Sequence, residues 1–401
     1  MKKDVASFLI FRIGFFLFFS IIIFGSKAQS ANDIDRVLLS VQANNTQLKS
    51  LKAYIKSEQL NIQSTNNLPD PEVSGYYLPQ GAHPDGDYTE YQVSQAFEFP
   101  TLYAARKKWI KEQSNQLQIQ LEITQKQILL EAEKHCLNLI YLNKKTQLQQ
   151  ERIAQSKEVF DLITELVERG ESNKHELNQA KIGWVINQFT LENTRQEHRG
   201  VLTALQQLNG GVSIEFESQE YPKPLSIEHF DSIWAEKIIM DPILKDLEKE
   251  KQVSYRNINI NKHQGLPDLV IGYNYQGVPG YDYSGLYGGL TIPLWSNRNK
   301  VKAAQVKHES VVLNYSEKTA KYQSELIIKY SDFQFYLNKY NEYQNTLEGL
   351  TQDLLHSYKN EEITYVQYLM ELYFYKEAFN AYLEIEHDLY RLKAELLSHQ
   401  L

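Results

Sequence analysis

Hydrophobic positions along the chain follow two patterns in turn. Long stretches space them by threes, fours and sevens, as an amphipathic helix requires, and short stretches alternate them residue by residue, as a half-buried strand requires. A helix is predicted over 31–67, with Val37, Leu38, Val41, Leu48, Leu51, Ile55 and Ile62 on the repeat. Strands are predicted at about 72–78 and 88–99, the second setting Tyr91, Val93, Gln95, Phe97 and Phe99 against Glu90, Gln92, Ser94, Ala96 and Glu98. One long helix follows over 101–169, where Leu117, Leu121, Ile128, Ala132, Leu139 and Leu142 mark a coiled-coil-like seam. A return helix over 172–208 ends at Gly210-Gly211, and an irregular connector spans 210–230.

The order then repeats, with a helix over 231–263, strands at about 269–276 and 281–292, a long helix over 297–358 and a return over 363–399. Leu68-Pro69-Asp70 is echoed by Leu266-Pro267-Asp268, Phe99-Pro100 by Ile292-Pro293, and the reversal at Gly170 by one near Glu361. The offsets drift from 198 to 193 to 191 residues, as a duplication with small deletions produces. The chain therefore divides into a first repeat over 29–209, the connector and a second repeat over 231–401. Eighteen of the 29 glycines and prolines fall in 68–100 and 265–293, whereas the 69 residues after Pro100 contain neither. Helices of that length do not belong to an ordinary globular core.

The N-terminus adds a compartment. A basic start, an apolar run over 13–24 and Ser26-Lys27-Ala28 read as a secretory signal over 1–28, with a retained membrane anchor as the alternative. A net charge of −8 gives no footing for nucleic acid, and the single Cys136 excludes an internal disulfide.

Tyrosine-rich strands of about ten residues with one apolar face are the signature of an outer-membrane barrel. Leu269, Ile271, Tyr273 and Tyr275 against Val270, Gly272, Asn274 and Gln276 continue it, while the fourth strand alternates poorly. The same alternation also suits hairpins of a soluble sheet; the long, largely polar helices favour the barrel. Four strands cannot close, so other copies must supply the rest.

In this arrangement the residues resemble the TolC-type outer membrane efflux proteins, over nearly the whole mature chain. That family marks each passage from strand to tunnel helix with proline, where Pro100 and Pro293 stand, and a first helical turn tolerates proline. Its helix reversal is matched by Val167-x-x-Gly170 followed by Glu176-Leu177 and Ala180; the second copy has Tyr358-x-x-Glu361, Gln367-Tyr368 and Glu371 instead. Leu68-Pro69-Asp70-Pro71-Glu72 and the segment 292–299 look like the cobalt-zinc-cadmium heavy-metal efflux branch. The resemblance implies a mainly α fold with a β-barrel segment: a homotrimer with a twelve-stranded barrel in the outer membrane of a Gram-negative bacterium. A long periplasmic α-helical tunnel would continue it. It also implies contact with outer membrane lipids, a periplasmic adaptor and an inner-membrane pump of the proton-driven resistance-nodulation-division type. Heavy-metal cations are candidate cargo.

Site candidates cluster at the first reversal. Glu165, Glu168, Glu171 and Glu176 would recur as acidic rings in a symmetric trimer and favour cations, or else form a solvated helix tip. Glu176 stands where the family places a gating aspartate, and Gln367 is its neutral counterpart. The histidines are scattered without an i, i+4 pair, so no metal site is expected. No nucleophile motif, phosphate loop or cofactor fingerprint occurs, which points away from an enzyme. The rival reading is a periplasmic coiled-coil adaptor or scaffold without a barrel.

Overall fold

The computed structural model describes residues 33–79, 84, 86–347, 354–360 and 362–401. The predicted leader, Glu361 and most of the turn between the first two strands lie outside the described residues.

The chain opens with two helices where the periodicity predicts one. α1 (Asp33–Asn44) and α2 (Thr46–Ser64) are divided at Asn45, whose side chain accepts from the Leu48 N–H at 2.9 Å. Such a cap satisfies an orphan donor of the new helix and competes with continuation of the old one. The Asn45 amide also donates to the Leu208 carbonyl at 2.8 Å. The predicted 231–263 helix divides in the same way into α5 (Phe230–Met240) and α6 (Pro242–His263). Asp241 caps the Ile243 N–H at 2.9 Å, and Pro242 starts the helix without needing a donor partner. Asp241 also accepts from the Tyr322 hydroxyl at 2.6 Å and from Lys237 Nζ at 3.3 Å, the two charged side chains being buried together. Burial pushes the Lys237 ammonium below its usual pKa, and Asp241 opposes that shift.

Four strands, β1 (Glu72–Leu78), β2 (Tyr88–Phe97), β3 (Asp268–Val278) and β4 (Tyr281–Thr291), form one antiparallel sheet in chain order. The two hairpins meet through β2 and β3, so the halves of the duplication share one sheet. Register carries each face across all four strands. Val73, Val93, Tyr273 and Leu286 stand in one row, and Tyr76, Glu90, Gln276 and Tyr283 in a row of the opposite face. The first face also holds Tyr91, Phe97, Leu269, Ile271 and Leu290; the second holds Glu72, Gln92, Ser94, Asp268 and Asn274. β4 follows this division only in part: Leu286 and Leu290 share the first face with Asp282 and Ser284, Tyr281, Tyr283 and Tyr287 stand on the second, and Gly285, Gly288 and Gly289 carry no side chain to mark either. At Gly272 a Cβ would collide with the Tyr287 ring, which crosses this gap to reach Gln92 on the polar face. Among the described residues both edge strands lack a further neighbour.

Below the sheet, α3 (Pro100–Glu168) runs 69 residues, about 100 Å at 1.5 Å per residue. Pro100 is its first residue, and the Arg106 guanidinium grips Glu98 through two bonds of 2.7 and 2.8 Å at the junction. The second junction differs from the expectation. α7 (Lys300–Leu347) begins seven residues after Pro293, because a turn segment is interposed in which Asn299 has a φ of 65° and Asn297 donates to the Asn261 carbonyl at 3.0 Å. Pro293 thus lies between strand and helix without entering the helix. α4 (Lys174–Leu208) returns along α3, while α8 (Leu354–Lys359) and α9 (Tyr365–Leu396) complete the second hairpin.

The largest core lies midway, where Val37, Val41 and Leu48 pack on Ile128, Ala132, Cys136 and Ile140 of α3 and on Tyr390 and Ala394 of α9. Connector residues Ile214, Phe216 and Tyr221 close it, the Tyr221 ring stacking on Tyr390 at 4.3 Å. Beside this core the Glu133 carboxyl is pushed up to about 7 by burial and then by Asp35, with Lys393 opposing. A raised carboxyl pKa contributes stability below its unfolded value, near 4.5, and that contribution is lost as pH rises through about 7. Glu133→Gln should therefore match the parent protein near pH 4 and exceed its stability by about 2 kcal/mol at pH 8, read from denaturant unfolding at the two pH values.

Candidate functional site at the helical tip

At the far end of α3 the chain reverses through a Schellman motif. Gly170 takes φ 77°, its N–H bonds to the Val167 carbonyl at 3.1 Å, and the Glu171 N–H bonds to the Leu166 carbonyl at 2.8 Å. A left-handed backbone there favours glycine, since a Cβ would crowd the following carbonyl. The second hairpin makes the corresponding bond from the Glu362 N–H to the Ser357 carbonyl at 2.9 Å. Glu361 itself lies outside the described residues.

Both return helices then start with a cap. Asn173 accepts from the His175 and Glu176 N–H groups at 2.9 and 3.0 Å. Thr364 and Gln367 form a reciprocal capping box, the Thr364 N–H donating to Gln367 Oε1 at 2.8 Å and the Gln367 N–H to Thr364 Oγ1 at 3.3 Å. Glu176 and Gln367 therefore hold the same third helical position. Asn173-x-x-Glu176 and Thr364-x-x-Gln367 spell this in the sequence, a signal the periodicity reading passed over.

The four acids separate. Glu165, Glu168 and Glu171 are exposed, and Glu165 pairs with Arg169 one turn along the helix. Glu176 is half-buried, takes a 2.6 Å bond from the Ser172 hydroxyl and faces Tyr358 and Tyr365 of the second hairpin. Burial, then Tyr358 and then Glu176, push the Tyr365 phenol up to about 12. Its buried hydroxyl has no hydrogen-bond partner among the described residues. Tyr365, Tyr368 and Tyr358 pack with Val159, Ile163 and Ala180, so one apolar cluster ties the two hairpins of the chain together at the tip. A groove of about 560 Å³ opens beside it, between Leu162 and Leu166 of α3 and Ile363, Thr364 and Gln367. Pro100 and Pro293 lie at the opposite end, by the sheet.

This geometry suits a mechanical joint with an acid inside it. Among the described residues no group of three His, Cys, Asp or Glu side chains is placed to hold a metal ion, and no helix is long and apolar enough to cross a membrane.

No family model and no curated protein sequence matches the chain. Solved structures do. A membrane protein from Pseudomonas aeruginosa superimposes with a TM-score of 0.78 at 14% identity, over 92% of this chain and 90% of that one. The outer-membrane channel OprN matches with a TM-score of 0.75 at 11% identity, covering 92% and 89%. CusC, described as forming a transmembrane channel, matches with a TM-score of 0.71 at 14% identity, covering 92% and 91%. The chain has the fold of an outer membrane channel. Matching over about nine-tenths of both chains means that sheet, long helices and tip all take part in this fold, even at an identity too low to carry individual residues across.

Proposed function

We propose that the protein is the outer membrane exit duct of a tripartite efflux system. Three copies would close a twelve-stranded barrel, continue it as a helical tunnel across the periplasm, and receive cargo from an inner-membrane pump of the resistance-nodulation-division type through a periplasmic adaptor. The observation that carries this reading is the sheet: one face is apolar through its middle rows across all four strands, with Gln95 near one end and Thr89, Asp282 and Ser284 toward the hairpin turns, and among the described residues both edges are unpaired. Lipid tails offer the apolar face its natural solvent, and a bilayer tolerates a sheet only when its edges are closed by further strands. Further apolar stripes are bare in the single chain. Ile182, Val185, Ile186 and Phe189 line one face of α4, and Val366, Met370, Tyr373 and Phe374 one face of α9. Packing of neighbouring copies would cover them.

The protein would do no chemistry; the pump supplies the energy. Heavy-metal cations remain candidate cargo through the resemblance to that branch. The tip groove beside Tyr358 is the place where an adaptor would engage both hairpins at once.

The gate is tested at Glu176. Glu176→Gln keeps the helix cap, as Gln367 demonstrates in the other hairpin, and removes only the charge. Where three such carboxylates converge on the passage, single-channel recordings should show weaker block by divalent cations and reduced cation selectivity in Glu176→Gln, with a smaller change in Glu165→Gln. Small and equal effects of the two substitutions would reduce the acidic cluster to a solvated tip.

A further inference from the structure

We infer that the polar wall of the sheet is a recognition surface for aromatic or quaternary organic cations. This rests on the duct reading, which makes that wall the lumen of the barrel. The four strands contain four acids, Glu72, Glu90, Asp268 and Asp282, and no lysine or arginine. Register puts Glu72, Glu90 and Asp268 on the polar face, so the charge of the lumen wall within the strands is wholly negative.

The tyrosines divide between the faces. Tyr77, Tyr91, Tyr273 and Tyr275 belong to the apolar face, where a ring with a polar tip suits the membrane interface. Tyr76, Tyr88, Tyr281, Tyr283 and Tyr287 belong to the polar face, and there the interface gives them no purpose. Tyr76, Tyr281 and Tyr283 are 55, 73 and 76% exposed. Tyr76 is directly opposite Glu90, and Tyr283 stands two strands beyond it in the same row. At about 4.8 Å between strands, both rings lie within about 10 Å of the carboxylate.

Glu90 is fixed in place. Its carboxylate accepts from the Tyr88 hydroxyl at 2.9 Å, from the Asn274 amide at 2.7 Å and from the Gln276 amide at 3.3 Å. All three donors are neutral, so they orient the charge without cancelling it. A fixed carboxylate beside exposed tyrosine rings is complementary to a cation with weakly held hydration and an apolar surface. The ring quadrupole attracts such a charge, and the ring body covers apolar groups that water solvates poorly. A small metal ion keeps its water shell and gains only the carboxylate; an anion is repelled. Repetition in three copies would give the wall three such stations, weak enough singly for cargo to leave.

The test uses the full-length protein reconstituted in planar bilayers, with benzyltrimethylammonium, tetramethylammonium and benzenesulfonate as probes. Benzyltrimethylammonium should reduce the single-channel current at about one-tenth of the concentration that benzenesulfonate requires, with tetramethylammonium between them. Glu90→Gln should weaken block by benzyltrimethylammonium about tenfold. Tyr283→Ser, at an exposed position that no fold contact needs, should weaken it about threefold and leave tetramethylammonium unchanged, which keeps the test open if Glu90→Gln assembles poorly. Conducting channels whose block is indifferent to both substitutions, or equal for cation and anion, would overturn the inference and leave the duct standing. Absence of any conductance in the parent protein would overturn both.

Discussion

Tyr273→Arg should abolish the assembled channel, while Asn274→Arg, one residue away, should leave it in the membrane. Tyr273 stands at the centre of β3 in the row Val73, Val93, Tyr273, Leu286, where Leu286 is 84% exposed and neither adjoining row of that face carries an acid to pair with a guanidinium. An arginine facing lipid at the bilayer midplane costs about 2–4 kcal/mol in each copy, and three copies carry it at once. Asn274 points to the opposite face beside Glu90, where an arginine meets water and a carboxylate. Detergent extraction of membranes from cells making each variant, followed by unheated gel electrophoresis, reads the outcome. A soluble sheet would respond in another way: both arginines would be tolerated on exposed faces.

The second large effect is expected at the break between α5 and α6. Asp241→Ala removes a helix cap and leaves the Lys237 ammonium, 0% exposed, without its counter-charge. Stranding one member of a buried ion pair costs about 3–5 kcal/mol. Combining Asp241→Ala with Lys237→Met should restore all but the cap and the Tyr322 hydroxyl bond, about 1 kcal/mol each, because the apolar side chain no longer needs a partner. Thermal unfolding followed by helical circular dichroism should thus rank parent, double and single substitution in that order. Equal destabilisation by the single and the double substitution would place the whole effect in the cap.

What the sequence revealed and what it concealed follow from the same physics. Alternation exposed β2 and β3 because Tyr91, Val93 and Phe97, or Leu269, Ile271 and Tyr273, set large apolar groups against polar ones. β4 was obscured by its glycines, which carry no side chain to show a face. The long α3 is legible because no glycine or proline interrupts it after Pro100: the uninterrupted run spans 101–169 and the helix Pro100–Glu168. The breaks at Asn45 and Asp241 were not, since hydrophobic spacing runs through them and only the caps divide the helices. Pro242 was the one visible warning. At the tip, Gly170 announced the first turn, but the pairing of Glu176 with Tyr358 and Tyr365, 182 and 189 residues further on, depends on two hairpins meeting, which no local pattern encodes. The need for further strands, by contrast, follows from the count of four, and the sheet adds which edges, those of β1 and β4, lack a neighbour among the described residues.

The central claim is that this sheet is a third of a membrane barrel. The most direct measurement is the copy number of the full-length protein extracted from its membrane, by light scattering in detergent and by gel migration with and without heating. The account predicts a particle of three copies that leaves the membrane only with detergent and falls to single chains on heating. A monomer that stays soluble without detergent would contradict it.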